Sequence, residues 1–134
     1  MTQTDKRKYS SINNEWILLD TQSTVSVFNN MQYLTNIRES KETLHAITNG
    51  GYQDSHMVGE FPNLGTVWYN QHSIANILSI KEVRRVCRVT MDSSIEPTLC
   101  VHRLDGSIMK FKEQESGLYV FKPNINTSVN IYPH

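Results

Sequence analysis

The sequence is a succession of short apolar and β-branched runs that are separated by turn residues. The strongest turn signals are Asn49-Gly50-Gly51, Asp92-Ser93-Ser94 and Asp105-Gly106. Short runs bounded by Gly, Asn, Asp and Ser are typical of strands joined by tight turns. The pattern therefore predicts an all-β domain of the barrel or sandwich kind.

Two segments depart from the strand pattern. Residues 81–86 have helical spacing with their charges outward, and we expect them to form the one helix of the domain. Residues 31–37 follow the strand breaker Asn29-Asn30 and are expected to form a short helical or irregular connection. The predicted strands are residues 16–19, 25–28, 43–48, 52–58, 65–69, 87–91, 99–103, 107–112 and 118–121, with a further apolar run at 74–80.

Length and composition limit the classes of protein to which the chain can belong. At 134 residues it is long enough to bury a core unaided, and we expect one domain over residues 15–122 with polar tails at 1–14 and 123–134. A formal net charge of zero excludes the strongly basic footprint of a nucleic-acid binder. No apolar run approaches the length of a membrane span and no charged-then-apolar leader is present, so a cytoplasmic protein is expected.

One carboxylate stands at the end of the first predicted strand. The apolar run 16–19 is followed by Asp20 and then by the hydroxyl residues Thr21, Ser23 and Thr24. A strand buried on both faces would deliver this carboxylate into the turn at a fixed, partly dry position. Asp followed by Ser or Thr is also among the commonest turn openings in proteins. The segment by itself is compatible with a reactive carboxylate and with an ordinary turn.

Five blocks of sequence in a fixed order extend this pattern. Together they resemble the protease region of copia-type retrotransposon polyproteins, and the resemblance covers roughly residues 14–122. It implies a retropepsin-like closed barrel, which is half of an acid protease, and therefore a homodimer. The blocks are Trp16 to Thr24, Ile47-Thr48-Asn49-Gly50-Gly51, Gly65-Thr66-Val67-Trp68-Tyr69, Asn76-Ile77-Leu78-Ser79-Ile80 and Gly117-Leu118-Tyr119.

The resemblance also implies the site residues. Asp20 of each protomer would meet across a two-fold axis, Thr21 would hydrogen-bond across that axis, and Ser23 would orient the carboxylate. The hairpin around Asn49-Gly50-Gly51 would be a flap that closes over a peptide, whereas without the resemblance it would be an ordinary surface hairpin. The residues expected to bind the substrate are Gln22, Ile47, Asn49, Gly50, Gly51, Ile77 and Leu78.

Gln22 departs from the family pattern, because aspartic proteases carry glycine here in Asp-Thr-Gly or Asp-Ser-Gly. A residue with a Cβ would cost about 1–3 kcal/mol if the loop requires a restricted backbone conformation. Gln22 could still present the same backbone N–H to the carboxylates, although its side-chain amide could fill space meant for water. Two outcomes follow: a working protease with a modified loop, or a catalytically inactive barrel that serves as a peptide-binding or assembly module.

Other groupings of reactive residues are weaker. Asp92-Ser93-Ser94 superficially repeats the segment around Asp20, which would permit a dyad within one chain. Cys87 and Cys100 are expected to be reduced, buried strand residues. No metal or cofactor is expected, since the histidines show no metal-ligand spacing and no motif pairs a cysteine with a histidine. The histidines are His45, His56, His72, His102 and His134.

The residues and the resemblance together predict an aspartic endopeptidase that processes polyprotein junctions. Its partners would be a second copy of the chain and an extended peptide or polyprotein substrate. No membrane contact is expected, and no nucleic acid for this domain alone. The expected location is the cytoplasm or a virus-like particle within it.

Overall fold

A computed structural model describes residues 12–48, 51–94 and 96–123 of the chain. These residues form ten strands, one α-helix, α1 (Ile80–Val86), and one turn of 3-10 helix at Met31–Tyr33. The predicted all-β class with one short helix is therefore confirmed. The strands are β1 (Ile17–Asp20), β2 (Val27–Phe28), β3 (Thr35–Thr48), β4 (Gly51–Phe61), β5 (Gly65–Tyr69), β6 (Asn76–Ser79), β7 (Arg88–Asp92), β8 (Thr98–His102), β9 (Ile108–Glu113) and β10 (Tyr119–Phe121).

All ten strands belong to one open sheet in the order β3-β4-β5-β2-β6-β1-β10-β9-β8-β7. Its edges, β3 and β7, do not pair with each other, so the predicted closed barrel is wrong for the described residues. The edges carry exposed charges, Glu39 and Lys41 on β3 and Arg88 and Asp92 on β7. Charged side chains along an edge strand oppose further pairing, which gives a physical reason for the open sheet.

The two halves of the open sheet nevertheless share one main core. Phe28 of β2 and Phe61 of β4 belong to the same cluster of buried side chains as Phe111 of β9, from the other half of the sheet. The Phe28 and Phe61 ring centroids are 5.1 Å apart. A hydrogen bond of 3.0 Å from Asn63 Nδ2 to Asp105 Oδ2 joins turns from the two halves. Apolar contact between the halves thus makes the strands one packed domain.

The C-terminal half agrees with the prediction to within one residue at each strand end. Predicted strands at 87–91, 99–103, 107–112 and 118–121 correspond to β7, β8, β9 and β10, and the predicted helix at 81–86 corresponds to α1. In β9 the side chains of Met109 and Phe111 are buried while those of Lys110 and Lys112 are exposed. Such alternation is the signal that sequence reasoning detects, because successive strand residues face opposite sides.

Strand β3 differs most from the prediction, since it begins at Thr35 rather than at residue 43. Residues 38–42 are polar and do not alternate, yet they lie in the strand that pairs with β4. The register shifts between Thr35 and Arg38 and again between Glu39 and Leu44. Extra residues at a bulge break the period of two, so the strand pattern is invisible in the sequence.

The packed domain includes residues just before the predicted boundary at 15. Ile12 packs against the buried cluster of Leu18, Ala75 and Val120. The backbone oxygen of Asn14 accepts a hydrogen bond from Asn76. Residues 1–11 and 124–134, which make up most of the two predicted tails, lie outside the described residues.

Asn76 connects the start of β6 to two other segments through a fully buried side chain. Its Oδ1 accepts hydrogen bonds from the backbone N–H groups of Asn29 and Asn30 at 3.0 and 2.9 Å. Its Nδ2 donates to the backbone oxygens of Asn14 and Trp16 at 2.7 and 2.9 Å. All four bonding positions of the amide are used, which is what burial of a polar side chain requires.

We expect Asn76→Ala to lower the free energy of unfolding by about 3 kcal/mol, because it leaves buried backbone groups without partners at about 1–3 kcal/mol each. Asn14→Ala is the matched control, since it removes an exposed side chain but keeps the carbonyl that Asn76 uses. The control should change stability by less than about 0.5 kcal/mol. Urea denaturation measures both, and equal losses in the two variants would contradict this account.

Candidate active site

Asp20 lies at the C-terminal end of β1, in the middle of the sheet. β1 pairs in parallel with β6, where Asp20 is opposite Ser79, and antiparallel with β10. The preceding residues Ile17, Leu18 and Leu19 are all buried, at 0 to 3% exposure, whereas Asp20 itself is half-buried. The prediction of a buried strand that delivers one carboxylate into a turn is therefore confirmed.

Two backbone amides fix the Asp20 carboxylate. Its Oδ1 accepts hydrogen bonds from the N–H of Gln22 at 2.8 Å and the N–H of Ser23 at 3.2 Å. The Ser23 hydroxyl donates instead to the backbone oxygen of Val25 at 2.8 Å. Within the described ranges the second carboxylate oxygen, Oδ2, has no donor, and the neighbouring Thr21 is exposed. The carboxylate thus has one oxygen held by the loop and one left for other partners.

Gln22 supplies the backbone N–H that the family pattern assigns to glycine. Among the described non-glycine residues a positive φ occurs at Asn36 and Asn63, and Gln22 is not one of them. The loop therefore does not use a left-handed conformation at this position, and the strain considered from the sequence does not arise. The Gln22 side chain is exposed beside the carboxylate.

Two other aspartates form similar turns without the same surroundings. Asp92 accepts hydrogen bonds from Ser94 and Asp105 from Ser107, in each case from both the amide and the hydroxyl. These bonds, with Ser94 and Ser107 as the largest causes, lower the pKa of both aspartates, which lie in exposed turns. Strands β8, β9 and β10 stand between β7 and β1, so strand pairing does not bring Asp92 to Asp20.

Ile77 and Leu78 lie beside the strand that carries Asp20. In the parallel register Leu18 is opposite Ile77 and Leu19 is opposite Leu78. Leu78 is 1% exposed and belongs to the main core cluster, while Ile77 is partly buried in the second cluster. They flank β1 in the neighbouring strand. The burial of Leu78 leaves it almost no surface for a peptide.

The predicted hairpin is formed by β3 and β4. Ile47 is opposite Tyr52 and Thr48 is opposite Gly51, as expected for an antiparallel return after the turn. Asn49 and Gly50, at the predicted tip, lie outside the described residues. Strands β5, β2 and β6 separate this hairpin from β1 in the sheet, so strand pairing does not bring its residues together with Asp20.

The base of the hairpin is held by a charged cluster across three strands. Glu60 Oε2 of β4 accepts hydrogen bonds from Thr66 Oγ1 of β5 at 2.8 Å and from Arg38 Nη2 of β3 at 2.9 Å. Arg38 also lines a cavity of about 540 Å³ beside the hairpin, to which Glu42, Trp68 and Glu82 contribute and Asp20 does not. The cavity has charges of both signs on its wall, which does not suit an apolar ligand.

The sequence did not predict which side chains bind the loop after Asp20 to the start of α1. They are Ser26, Ser79 and Glu82, which lie next to one another in the structure. The spacing Ser79-Ile80-Lys81-Glu82 is a capping-box pattern and would have marked the start of α1. No local signal reveals that Ser26, 53 residues earlier, joins it.

The two cysteines lie away from the Asp20 loop. Cys87 and Cys100 are free and buried, as predicted, although Cys87 caps α1 rather than lying in a strand. Burial raises the pKa of the Cys87 thiol, which disfavours the nucleophilic thiolate. The described part of the chain contains no group of three His, Cys, Asp or Glu residues that could hold a metal ion.

We expect Gln22→Gly to lower the free energy of unfolding by about 0.4–1 kcal/mol, because glycine adds freedom to the unfolded chain and relieves no strain here. Gln22→Ala keeps the Cβ and the N–H and should change stability by less than about 0.5 kcal/mol. Thermal and urea unfolding measure both variants. A gain in stability from glycine would show that the loop is strained at this position.

We also expect the cluster at Glu60 to contribute to stability in a pH-dependent way. The bonds from Thr66 and Arg38 hold the pKa of Glu60 below its ordinary value of 4.5. The unfolded chain therefore binds the proton more readily, and the stabilisation is lost as the pH falls from above 4.5 through the lower folded-state pKa. The effect should be below about 1 kcal/mol, since both side chains of the ion pair are partly exposed.

Urea unfolding of the wild type and Glu60→Gln between pH 7 and about pH 3 measures this contribution. The stability difference should be largest at neutral pH and should shrink in acid. Glu115→Gln, in an exposed turn, is the control and should show little difference at any pH. A Glu60→Gln difference that stays constant across the range would contradict the prediction.

No helix in the described residues is long and apolar enough to span a membrane.

Comparisons with known proteins identify no family for this chain. Searches with protein-family models, among curated proteins and among solved structures return no match for this chain. A function must therefore be inferred from the geometry around Asp20 and from the residues that surround it.

Proposed function

We propose that this domain is an aspartic endopeptidase of the retropepsin-like kind, which works as a homodimer in processing a copia-type retrotransposon polyprotein. The observation that carries the proposal is the Asp20 carboxylate at the end of a buried central strand. One of its oxygens is held by the Gln22 and Ser23 amides, and the other has no donor among the described residues. The order of the sequence blocks, with their resemblance to that protease region, supports the same assignment.

The surroundings of Asp20 favour chemistry over a simple turn. At the exposed residues Asp92 and Asp105, the amide and the hydroxyl of one serine both donate to Oδ1, and Asp105 Oδ2 also accepts from Asn63 Nδ2. At Asp20 the Ser23 hydroxyl is directed to the Val25 carbonyl instead. The carboxylate is thereby oriented by backbone groups alone, and its free oxygen is available to a water or to a second acid.

A dimer is needed because one aspartate cannot be base and acid at once. A two-fold axis beside Asp20 would bring the two carboxyl groups together in an isologous interface. Two carboxyls this close cannot both be charged, so they share one proton and titrate as a coupled pair, as aspartic proteases do. Thr21 is exposed next to Asp20 and would contact its counterpart across that axis.

In the proposed reaction the ionised carboxylate takes a proton from a water as the water oxygen attacks the peptide carbonyl. The protonated carboxyl donates its proton to the carbonyl oxygen, which forms a neutral tetrahedral intermediate. Collapse of the intermediate breaks the C–N bond, and the carboxyl that took the water proton delivers it to the leaving nitrogen. The carbonyl oxygen's proton returns to the other carboxyl, so the pair ends with the single proton with which it began.

The rest of the domain would bind the substrate. An extended peptide gains main-chain hydrogen bonds when it lies as an added strand, and alternate side chains enter pockets on either side. We assign closure over that peptide to the β3–β4 hairpin, including Ile47, Asn49, Gly50 and Gly51. The bulges near its base favour bending, because they interrupt the ladder of hydrogen bonds between β3 and β4.

One observation favours a second function. Gln22 is exposed two positions after Asp20, where a glycine would have no side chain to exclude water or substrate. If this side chain blocks the water, the domain would be a catalytically inactive module that binds peptides or supports assembly. Gln22→Gly then separates the two functions, because it would restore cleavage only to a blocked site.

We expect the purified chain to cleave peptides spanning polyprotein junctions at mildly acidic pH, and a statine-type inhibitor to block it. Asp20→Asn should reduce cleavage by about 10³-fold or more, since it removes a group that acts in the transition state. Asp92→Asn, the matched change in an exposed turn, should leave cleavage unchanged. Mass spectrometry of the products and initial rates measure these effects.

Three results would contradict the protease assignment. Asp20→Asn could cleave as fast as the wild type, the wild type and Gln22→Gly could both be inactive, or specific activity could stay constant on dilution far below the dissociation constant of the dimer. Analytical ultracentrifugation gives that constant independently of activity. An inactive wild type with an active Gln22→Gly variant would instead establish the binding module.

A further inference from the structure

The loop that follows Asp20, residues 20–26, is fastened to the start of α1 by three side chains. Glu82 Oε1 accepts a hydrogen bond from the Ser26 N–H at 2.9 Å. The Ser79 N–H donates to Ser26 Oγ at 2.9 Å, and the Ser79 hydroxyl donates to the backbone oxygen of Ser23 at 2.7 Å. We call Ser26, Ser79 and Glu82 the loop clamp.

The loop clamp is a modified capping box in which Ser26, a residue distant in sequence, takes part. In a standard capping box the N-cap hydroxyl accepts the N3 amide, and the N3 carboxylate accepts the N-cap amide. Ser79 keeps the first bond, at 3.4 Å from the Glu82 amide to its hydroxyl. The second is replaced, because the Ser79 amide and the Glu82 carboxylate each bind Ser26 instead.

Ser26 forms hydrogen bonds through its amide, its hydroxyl oxygen and its backbone oxygen. Its backbone oxygen accepts from the Trp68 N–H of β5 at 3.0 Å, in addition to its bonds to Ser79 and Glu82. Ser26 and Ser79 are 1% and 0% exposed. Water cannot readily replace bonds at such buried positions, and the bond to a carboxylate is stronger than one between neutral groups.

The loop clamp is linked to the carboxylate through one residue, Ser23. The Ser79 hydroxyl holds the oxygen of Ser23, and the Ser23 amide donates to Asp20 Oδ1. Ser79 is also the register partner of Asp20 across the parallel β1–β6 pair. Both ends of the loop, Asp20 at the start and Ser26 at the finish, are therefore tied to residues at the β6–α1 junction.

We propose that Ser26, Ser79 and Glu82 are positioning residues that set the Asp20 carboxylate for peptide hydrolysis, a role that rests on the proposed function. They do not touch the reacting atoms but act through the backbone of Ser23 and the rest of the loop. Catalysis is sensitive to such support, because a displacement of about 1 Å at the reacting group can lower a rate about 100-fold.

The test compares Ser26→Ala and Glu82→Ala with Thr98→Val. The control also removes one buried hydroxyl, but from β8, away from the loop. We expect the Gln22 and Ser23 amides to exchange hydrogen about 10-fold faster or more in both clamp variants, and kcat to fall about 10- to 100-fold with little change in KM. Glu82→Gln should recover much of both properties, since its side-chain oxygen can still accept the Ser26 N–H.

Hydrogen exchange and kinetics together decide the proposal. If the clamp variants match Thr98→Val in the exchange of these amides and in kcat, the loop clamp has no positioning role. If exchange is faster but kcat is unchanged, it holds the loop without positioning the carboxylate, and the proposal is also overturned. If neither the wild type nor Gln22→Gly cleaves any peptide, the proposed protease function is wrong. The exchange rates of the Gln22 and Ser23 amides then still show whether the loop clamp holds the Asp20 turn.

Discussion

The parallel pairing of β1 with β6 is the constraint on which the centre of this fold depends. It joins residues about 60 positions apart and is held at its start by the buried Asn76 amide and at its end by Ser79. A parallel pair cannot be closed by a tight turn, and the long connection between the two strands contains β2 to β5. The buried run Ile17-Leu18-Leu19 has a neighbouring strand on each side, and Asp20 follows it at the C-terminal end of β1.

The same pairing explains why Asp20 differs from the other turn aspartates. Asp92 and Asp105 sit in exposed turns whose shape is set by their own serines. The Asp20 loop is instead also bound by residues distant in sequence, since Ser79 and Glu82 at the start of α1 hold Ser23 and Ser26. Buried hydrogen bonds of this kind specify a unique geometry because an unmade bond is costly there. This combination of a central strand and support from distant residues is what distinguishes Asp20 from Asp92 and Asp105.

Local signals predicted much of the fold because each depends on neighbouring residues alone. Alternation in β9, the turn at Asp105-Gly106 and the charged face of α1 all report which side of an element is buried. The early part of β3 was missed, since its bulges remove the alternation. The position of Asp20 and its turn follow from the apolar run and the Asp-Thr step, and the Gln22 amide donates to the carboxylate as the sequence allowed. Ser26 could not be found, because its partners are distant in sequence.

The sequence by itself determined the all-β class, the short helix, most strand bounds and the carboxylate at the end of a buried strand. Only the tertiary structure decided that the sheet is open, that β1 lies between β6 and β10, and that Ser26 completes the cap of α1. The physical reason is that periodicity and turn chemistry fix which side of a segment avoids water, whereas the choice of partner strand depends on packing between distant segments.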